Sequence, residues 1–243
     1  PWLDRPFPPE RHLMRLRYLF LALAAFTAPA LTACAADEPL KKADRIVFLG
    51  DSITQAGVGK TGYVTVIKNA LAEKHKDLAI EVIGAGISGN KVPDLQKRLE
   101  KDVLAKKPTV VVIYIGINDV WHGEKDPARG TPPDKFEAGL KEIIGKVQET
   151  KARVILCTPT VIGEKKTGSN NLDAKLDEYA EISRKVAKDT GVQLCDLRKA
   201  FADHLAKNNA DDKEKGVLTS DRVHLNEAGN KLVAETILGV LDK

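Results

Sequence analysis

Ser52 closes the stretch Arg45-Ile46-Val47-Phe48-Leu49-Gly50-Asp51-Ser52, in which an apolar run of β-forming residues stops and a hydroxyl follows. A serine hydroxyl is a weak nucleophile until a neighbouring base takes its proton. Catalysis at Ser52 would therefore need a base, a group that orients the base, and donors for a developing oxyanion. Three further polar stretches fall at strand ends or before the last helix: Gly86-Ile87-Ser88-Gly89-Asn90, Gly116-Ile117-Asn118-Asp119 and Asp221-Arg222-Val223-His224. Together they hold an imidazole, carboxylates, two carboxamides and several glycines.

The elements that must position these groups follow from periodicity. Apolar runs predict strands over 45–50, 79–84, 109–115, 153–158 and 192–196, each buried on both faces as in a parallel sheet. Helical stripes lie between or after them: Val92, Leu95, Leu99 and Val103; Phe136, Leu140, Ile143, Ile144 and Val147; Leu172, Leu176, Tyr179, Ile182 and Val186; Leu232, Val233, Thr236, Ile237 and Val240. Alternating strands and helices imply right-handed βαβ units. The expected fold is α/β: a three-layer α/β/α sandwich around a five-stranded parallel sheet, flavodoxin-like. Connections 116–133 and 159–171 are longer than this layout requires and follow strands at the carboxyl edge, so they are expected to wall a pocket.

The four polar blocks, in this order on this rhythm, resemble the signature blocks of the SGNH (GDSL-type) hydrolases, and the resemblance runs from about Arg45 to the carboxyl terminus. It implies ester hydrolysis through a serine acyl-enzyme. On that resemblance Ser52 is the nucleophile, Asp221 and His224 complete the triad, and Gly89 and Asn118 join the Ser52 N–H as oxyanion donors. The chemistry agrees. An imidazole, with a reference pKa near 6.5, can take the Ser52 proton and return it to a leaving alcohol. Asp221 stands three residues earlier, in a short loop ahead of a helix capped by Asn226, so one turn can present both side chains.

Competing assignments exist for several of these residues. Asp196, ending the fifth strand, is a rival for the triad acid. Asp51 reads as turn structure. Trp121, His122 and Tyr63 are candidate pocket residues, with Asn170 and Asn171 as further substrate contacts; His75 and His204 lie in charged helical stretches and are expected to be solvated. Gly84-Ala85-Gly86-Ile87-Ser88-Gly89 matches a dinucleotide glycine pattern, but the acidic residue expected about twenty positions later is missing, since Thr109 begins the next strand. No His/Cys/Asp set has metal-ligand spacing, so neither metal nor other cofactor is expected. A non-catalytic binding module on the same fold, and a lysophospholipase or thioesterase, are the alternatives to a short-chain esterase acting on a carbohydrate or other small-molecule ester.

With 243 residues and 43% hydrophobic content, the chain can bury a substantial core as one domain. Its 38 basic and 34 acidic residues balance, and aromatics are 5%, which gives no reason to expect nucleic acid. The single methionine, Met14, opens a short basic start and the apolar run Tyr18 to Ala33. Residues 1–13 are thus expected to be an upstream leader and 14–36 a signal peptide, with the catalytic domain over 40–243. Leu31-Thr32-Ala33-Cys34 also fits a lipobox, which leaves lipidation at Cys34 and plain cleavage after Ala35 or Ala36 both open. Export to the periplasm or beyond follows, with membrane contact only through the signal or a lipid anchor. Cys157 and Cys195 fall inside strands, as buried small hydrophobes do.

Overall fold

A computed structural model of the chain describes residues 39–243. The leader, the signal segment and Cys34 lie outside the described residues. No described helix is long and apolar enough to cross a membrane.

Five strands, β1 (Arg45–Gly50), β2 (Glu81–Gly86), β3 (Val110–Tyr114), β4 (Arg153–Cys157) and β5 (Gln193–Cys195), form one sheet. Their order is β2-β1-β3-β4-β5 and every pairing is parallel. The chain moves outward from β1 in one direction to β2 and then in the other to β3. The switch point between β1 and β3 is where such sheets open a crevice at their carboxyl ends. Ser52 follows β1 and Asn118 follows β3, so both stand on the walls of that crevice.

Helices α1 (Ser52–Gly57), α2 (Tyr63–Lys74), α3 (Val92–Asp102), α4 (Ile117–Trp121), α5 (Pro133–Glu149), α6 (Asp173–Thr190), α7 (Leu197–Asn208) and α8 (Glu227–Leu241) connect and cover the strands. α5 packs against both α3 and α6 in one layer, while α8 packs against α2 and α7 in the other. The sandwich matches the expected fold class. The stripes of α3 and α5 are buried as expected. In α8 the buried line is Val233, Ala234, Ile237 and Leu241, with Leu232 and Val240 only half-buried at its sides.

Several expectations need correction. The 79–84 strand begins two residues later and ends at Gly86, because Ala79 turns with φ +50° and pairing continues through two glycines. α1 lies so close to β2 that a Cβ on Gly86 would stand 2.1 Å from the Gln55 nitrogen, and one on Gly84 would stand 2.3 Å from Val58 Cγ1. Those glycines of the dinucleotide-like pattern are there for helix–strand contact. β2 is also an edge strand, so Glu81 and Gly84 are exposed rather than buried on both faces. Helix α2 is not among the expected stripes, yet it buries Tyr63, Val64, Ile67 and Leu71. Cys157 and Cys195 face each other in register across β4 and β5, both free and fully buried, and burial pushes the Cys157 thiol well above its ordinary value.

Candidate active site

The strand-to-helix turn after β1 presents Ser52. Asp51 caps α1 by accepting the Ile53 N–H at 2.9 Å, which places Ser52 at the first helical position with its side chain half-buried. Gly50 is required at the strand end, since a Cβ there would lie 2.1 Å from Thr54 Oγ1 and 2.5 Å from the Tyr114 carbonyl. The Asp51 carboxyl is buried, and burial raises its pKa to about 7 despite the Ile53 N–H.

Ahead of α8 the loop 216–226 presents the other two groups. His224 Nε2 lies 2.9 Å from Ser52 Oγ, and His224 Nδ1 lies 2.7 Å from Asp221 Oδ2. The second carboxylate oxygen accepts the backbone N–H groups of His224 at 2.8 Å and Val223 at 3.1 Å. Partial burial pulls the Asp221 pKa upward, but the His224 ring and those two amides outweigh it and hold the carboxyl below its ordinary value. Arg222 adopts φ +88°, which turns the chain tightly enough for Asp221 and His224 to meet. A serine, an imidazole and a carboxylate 172 residues apart at the extremes are thus joined by two hydrogen bonds.

Main-chain amides rarely order a loop without an acceptor, and here the acceptor is Glu164. This side chain is fully buried and comes from the connection after β4. Its Oε2 accepts the Val217 N–H at 2.7 Å; Oε1 accepts the Leu218 N–H at 2.7 Å and also the Thr219 N–H. Main-chain bonds from Gly163 to the Arg222 carbonyl (2.8 Å) and from Glu164 to the Glu214 carbonyl (2.9 Å) tie the same two loops together. Glu164 was invisible as a candidate, being one glutamate in a charged loop with no spacing signal.

On the opposite wall Gly89 has φ +76°, a conformation suited to glycine. The N–H groups of Ser52 and Gly89 meet no acceptor among the described residues. Asn118 is buried, and its Nδ2 donates to the Asn90 carbonyl at 3.1 Å, which fixes the carboxamide and leaves its second N–H free. Beneath them Arg98 donates to the carbonyls of Gly50 (2.7 Å) and Ala85 (2.9 Å) and to Asn90 Oδ1 (2.7 Å). Arg98 was also missed, hidden in the run Gln96-Lys97-Arg98-Leu99-Glu100-Lys101 that reads as a solvated face. Its place on the shoulder of the Leu95–Leu99 stripe was the available clue.

Other candidates separate cleanly. Asp196 makes a two-bond pair with Arg184 (2.8 and 2.9 Å), accepts the Lys199 N–H, and faces no histidine, so it caps α7 and does not rival Asp221. Tyr63 is not a pocket residue: it is fully buried, with its hydroxyl 2.8 Å from Thr54 Oγ1 and its ring edge-on to Phe48 and Tyr114. Asn170 is held within its own loop by the Lys165 carbonyl and Asp173. His75, expected to be solvated, is tethered to Asp242 at 3.1 Å. His122 stands at the crevice, its Cε1 lying 3.9 Å from where a Cβ on Gly89 would be, while its neighbour Trp121 is exposed. Asp119 is structural: its carboxylate accepts the Val92 N–H at 3.0 Å, and burial raises its pKa to about 6. Among the described residues no group of three or more His, Cys, Asp or Glu is placed to hold a metal ion.

A model of the GDSL-like lipase/acylhydrolase family matches residues 48–232. The chain is 32% identical over 209 residues to an acetylxylan esterase of Geobacillus stearothermophilus, covering 80% of this chain and 92% of that protein. Solved forms of an acetylxylan esterase from the same organism include two described as catalytic mutants, one with a histidine and one with a serine replaced. The solved acetyl xylan esterase AlAXEase superposes with a TM-score of 0.78 at 47% identity, covering 81% of this chain and 99% of that one. An isoamyl acetate-hydrolyzing esterase 1 homolog of Rattus norvegicus is 28% identical, with 82% of each chain covered.

Proposed function

From the premise that the chain belongs to the GDSL-like lipase/acylhydrolase family, the SGNH hydrolases, we propose that it is a serine esterase that removes short acyl groups, acetyl above all, from carbohydrate hydroxyls. Ser52 Oγ attacks the ester carbonyl carbon while its proton passes to His224 Nε2. Asp221 accepts the Nδ1–H and stabilises the imidazolium that forms. The carbonyl oxygen, now an oxyanion, sits among the Ser52 N–H, the Gly89 N–H and the Asn118 carboxamide; a donor of this kind is typically worth about 3–4 kcal/mol of barrier. Collapse of the tetrahedral adduct breaks the ester C–O bond, and His224 returns the proton to the leaving alcohol. Water then repeats the sequence on the acyl-serine, with His224 taking the water proton and giving it back to Ser52 as the acid departs.

The observation that carries this reading is the unbroken relay from Asp221 Oδ2 through His224 to Ser52 Oγ, at 2.7 and 2.9 Å. Acetyl is favoured because the relatives named above are acetylxylan and isoamyl acetate esterases. A serine-directed phosphonate should label the wild-type protein and fail to label Ser52→Ala, whose turnover should drop by about 10⁴-fold or more. Labelling that survives in folded Ser52→Ala would overturn the assignment of the nucleophile. Across nitrophenyl esters from acetyl to palmitoyl, the rate should be highest at the short end; a long-chain optimum would favour a lysophospholipase instead.

Export belongs to the same proposal. Its support is the basic start at Met14 and the apolar run to Ala33. The intact mass of the exported protein distinguishes cleavage after Ala35 or Ala36 from a lipidated Cys34.

A further inference from the structure

The long connection after β3 holds a second concave feature beside the oxyanion donors. Trp121, His122, Glu124, Lys125 and Arg129 line a cavity of about 230 Å³. His122 belongs to both places, since its ring lines this cavity and also abuts Gly89, while its N–H returns to the Asn118 carbonyl at 3.2 Å. Trp121 ends the single helical turn that carries Asn118, and its indole is 36% exposed. Large apolar side chains are otherwise exposed only at Val58 and Ile87 among the described residues.

Arg129 adds a second, independent sign. Six of the seven arginines in the described residues have a hydrogen bond or ion pair at the guanidinium: Arg45, Arg98, Arg153, Arg184, Arg198 and Arg222. Arg129 has neither, although its backbone is held by Lys91 Nζ on its carbonyl at 2.6 Å. A planar fork of N–H donors stands ready at the wall of a cavity, next to an exposed indole.

We infer that this cavity is a sugar subsite, taking one pyranose ring next to the ring whose acetyl group enters the Ser52 site, so that the substrate is an acetylated oligosaccharide and not an isolated acetylated sugar. The inference rests on the esterase reading above. A pyranose has a C–H face that suits an indole plate and a rim of hydroxyls that both donate and accept. The cavity offers both sorts of partner, with Glu124 as acceptor and Lys125 and Arg129 as donors. An anionic ligand would meet Glu124 and a cationic one Arg129; neutral hydroxyls use both. Burial, together with the nearby charges of Lys91 and Arg129, holds the His122 pKa below its ordinary value, so at neutral pH the ring can also serve as acceptor. The volume is below the roughly 300–1,000 Å³ of sites for drug-sized ligands, which fits one ring.

The test compares two substrates, an acetylated xylo-oligosaccharide and 4-nitrophenyl acetate, in wild type, Trp121→Ala and Arg129→Ala. The ratio of kcat/KM for the oligosaccharide to that for the aryl acetate should fall about tenfold in each variant, mostly through KM. An unchanged ratio in both variants overturns the subsite, as does a wild type that cleaves the aryl acetate but not the oligosaccharide. A wild type that cleaves neither overturns the esterase reading itself, a distinguishable failure.

Discussion

The two walls of the crevice are held by opposite chemistry. Under the Gly89–Asn118 wall a cation gathers carbonyls: Arg98 bonds Gly50, Ala85 and Asn90. Under the Asp221–His224 wall an anion gathers amides, as Glu164 accepts from Val217, Leu218 and Thr219. The difference lies in what else holds each set. Gly50 and Ala85 already sit in the β1–β2 ladder, and Arg98 keeps a flanking carboxylate at Asp102. Val217 to Thr219 lie outside every strand and helix, so for these amides Glu164 takes the place of a ladder. A support that replaces secondary structure should matter more than one that reinforces it.

That contrast can be broken or sharpened by substitution. The largest effect is expected for Glu164→Ala, which strands three amide donors, those of Leu218 and Thr219 buried and that of Val217 partly so. Stability should fall by about 3 kcal/mol or more, and kcat on acetate esters by about 100-fold as the imidazole loses its place. Glu164→Gln keeps the oxygen shared by Leu218 and Thr219 but turns an NH₂ toward Val217, so it should lose less on both counts. Denaturant melts alongside kcat and KM check this; a Glu164→Ala variant with wild-type kcat would mean that the loop 216–226 stands by itself.

A smaller loss is expected for Arg98→Met, about 1–2 kcal/mol of stability, because two of its three carbonyl partners, Gly50 and Ala85, are also held in the β1–β2 ladder. Its kcat should fall by about tenfold through the chain from Asn90 to Asn118, with KM less affected. If Arg98→Met proves costlier than Glu164→Ala, the ranking by secondary-structure context is wrong.

The smallest effect concerns Asp51, whose buried carboxyl ionises near pH 7 in the folded protein, against an ordinary 3.8. A folded pKa raised above the unfolded one means that stability is highest below about pH 4 and declines as pH climbs toward 7. Asp51→Asn retains an oxygen for the Ile53 N–H and removes that decline. The melting temperature of the variant relative to wild type should therefore rise steadily between pH 4 and pH 7. Asp119 titrates in both proteins with the same sign, and its charge adds to the rise at Asp51, so its own contribution changes far less between the two than that of Asp51. A difference that is flat with pH would refute a buried, neutral-leaving Asp51.

How much of this was legible beforehand depended on whether a residue's partner could be named from its neighbours. Ser52 was legible because an apolar run ends beside it, and Asp221 with His224 because they stand three positions apart in one loop. Tyr63 was misread because a tyrosine two places after Gly59-Lys60-Thr61 looks equally suited to a loop or to the first turn of a buried helix; its hydroxyl found Thr54 in the interior. Strand β2 was shifted because glycines carry no apolar signal, although α1 demands them there.

Local order in the chain determined the strand–helix rhythm, the edge on which the polar blocks stand, and the grouping of Asp221 with His224, since each of these needs only near neighbours. The folded molecule alone decided that Glu164 and Arg98 underpin that edge. Their partners are peptide N–H and C=O groups, which every residue carries alike, so no spelling of the sequence distinguishes the ones that meet a charge from the ones that do not.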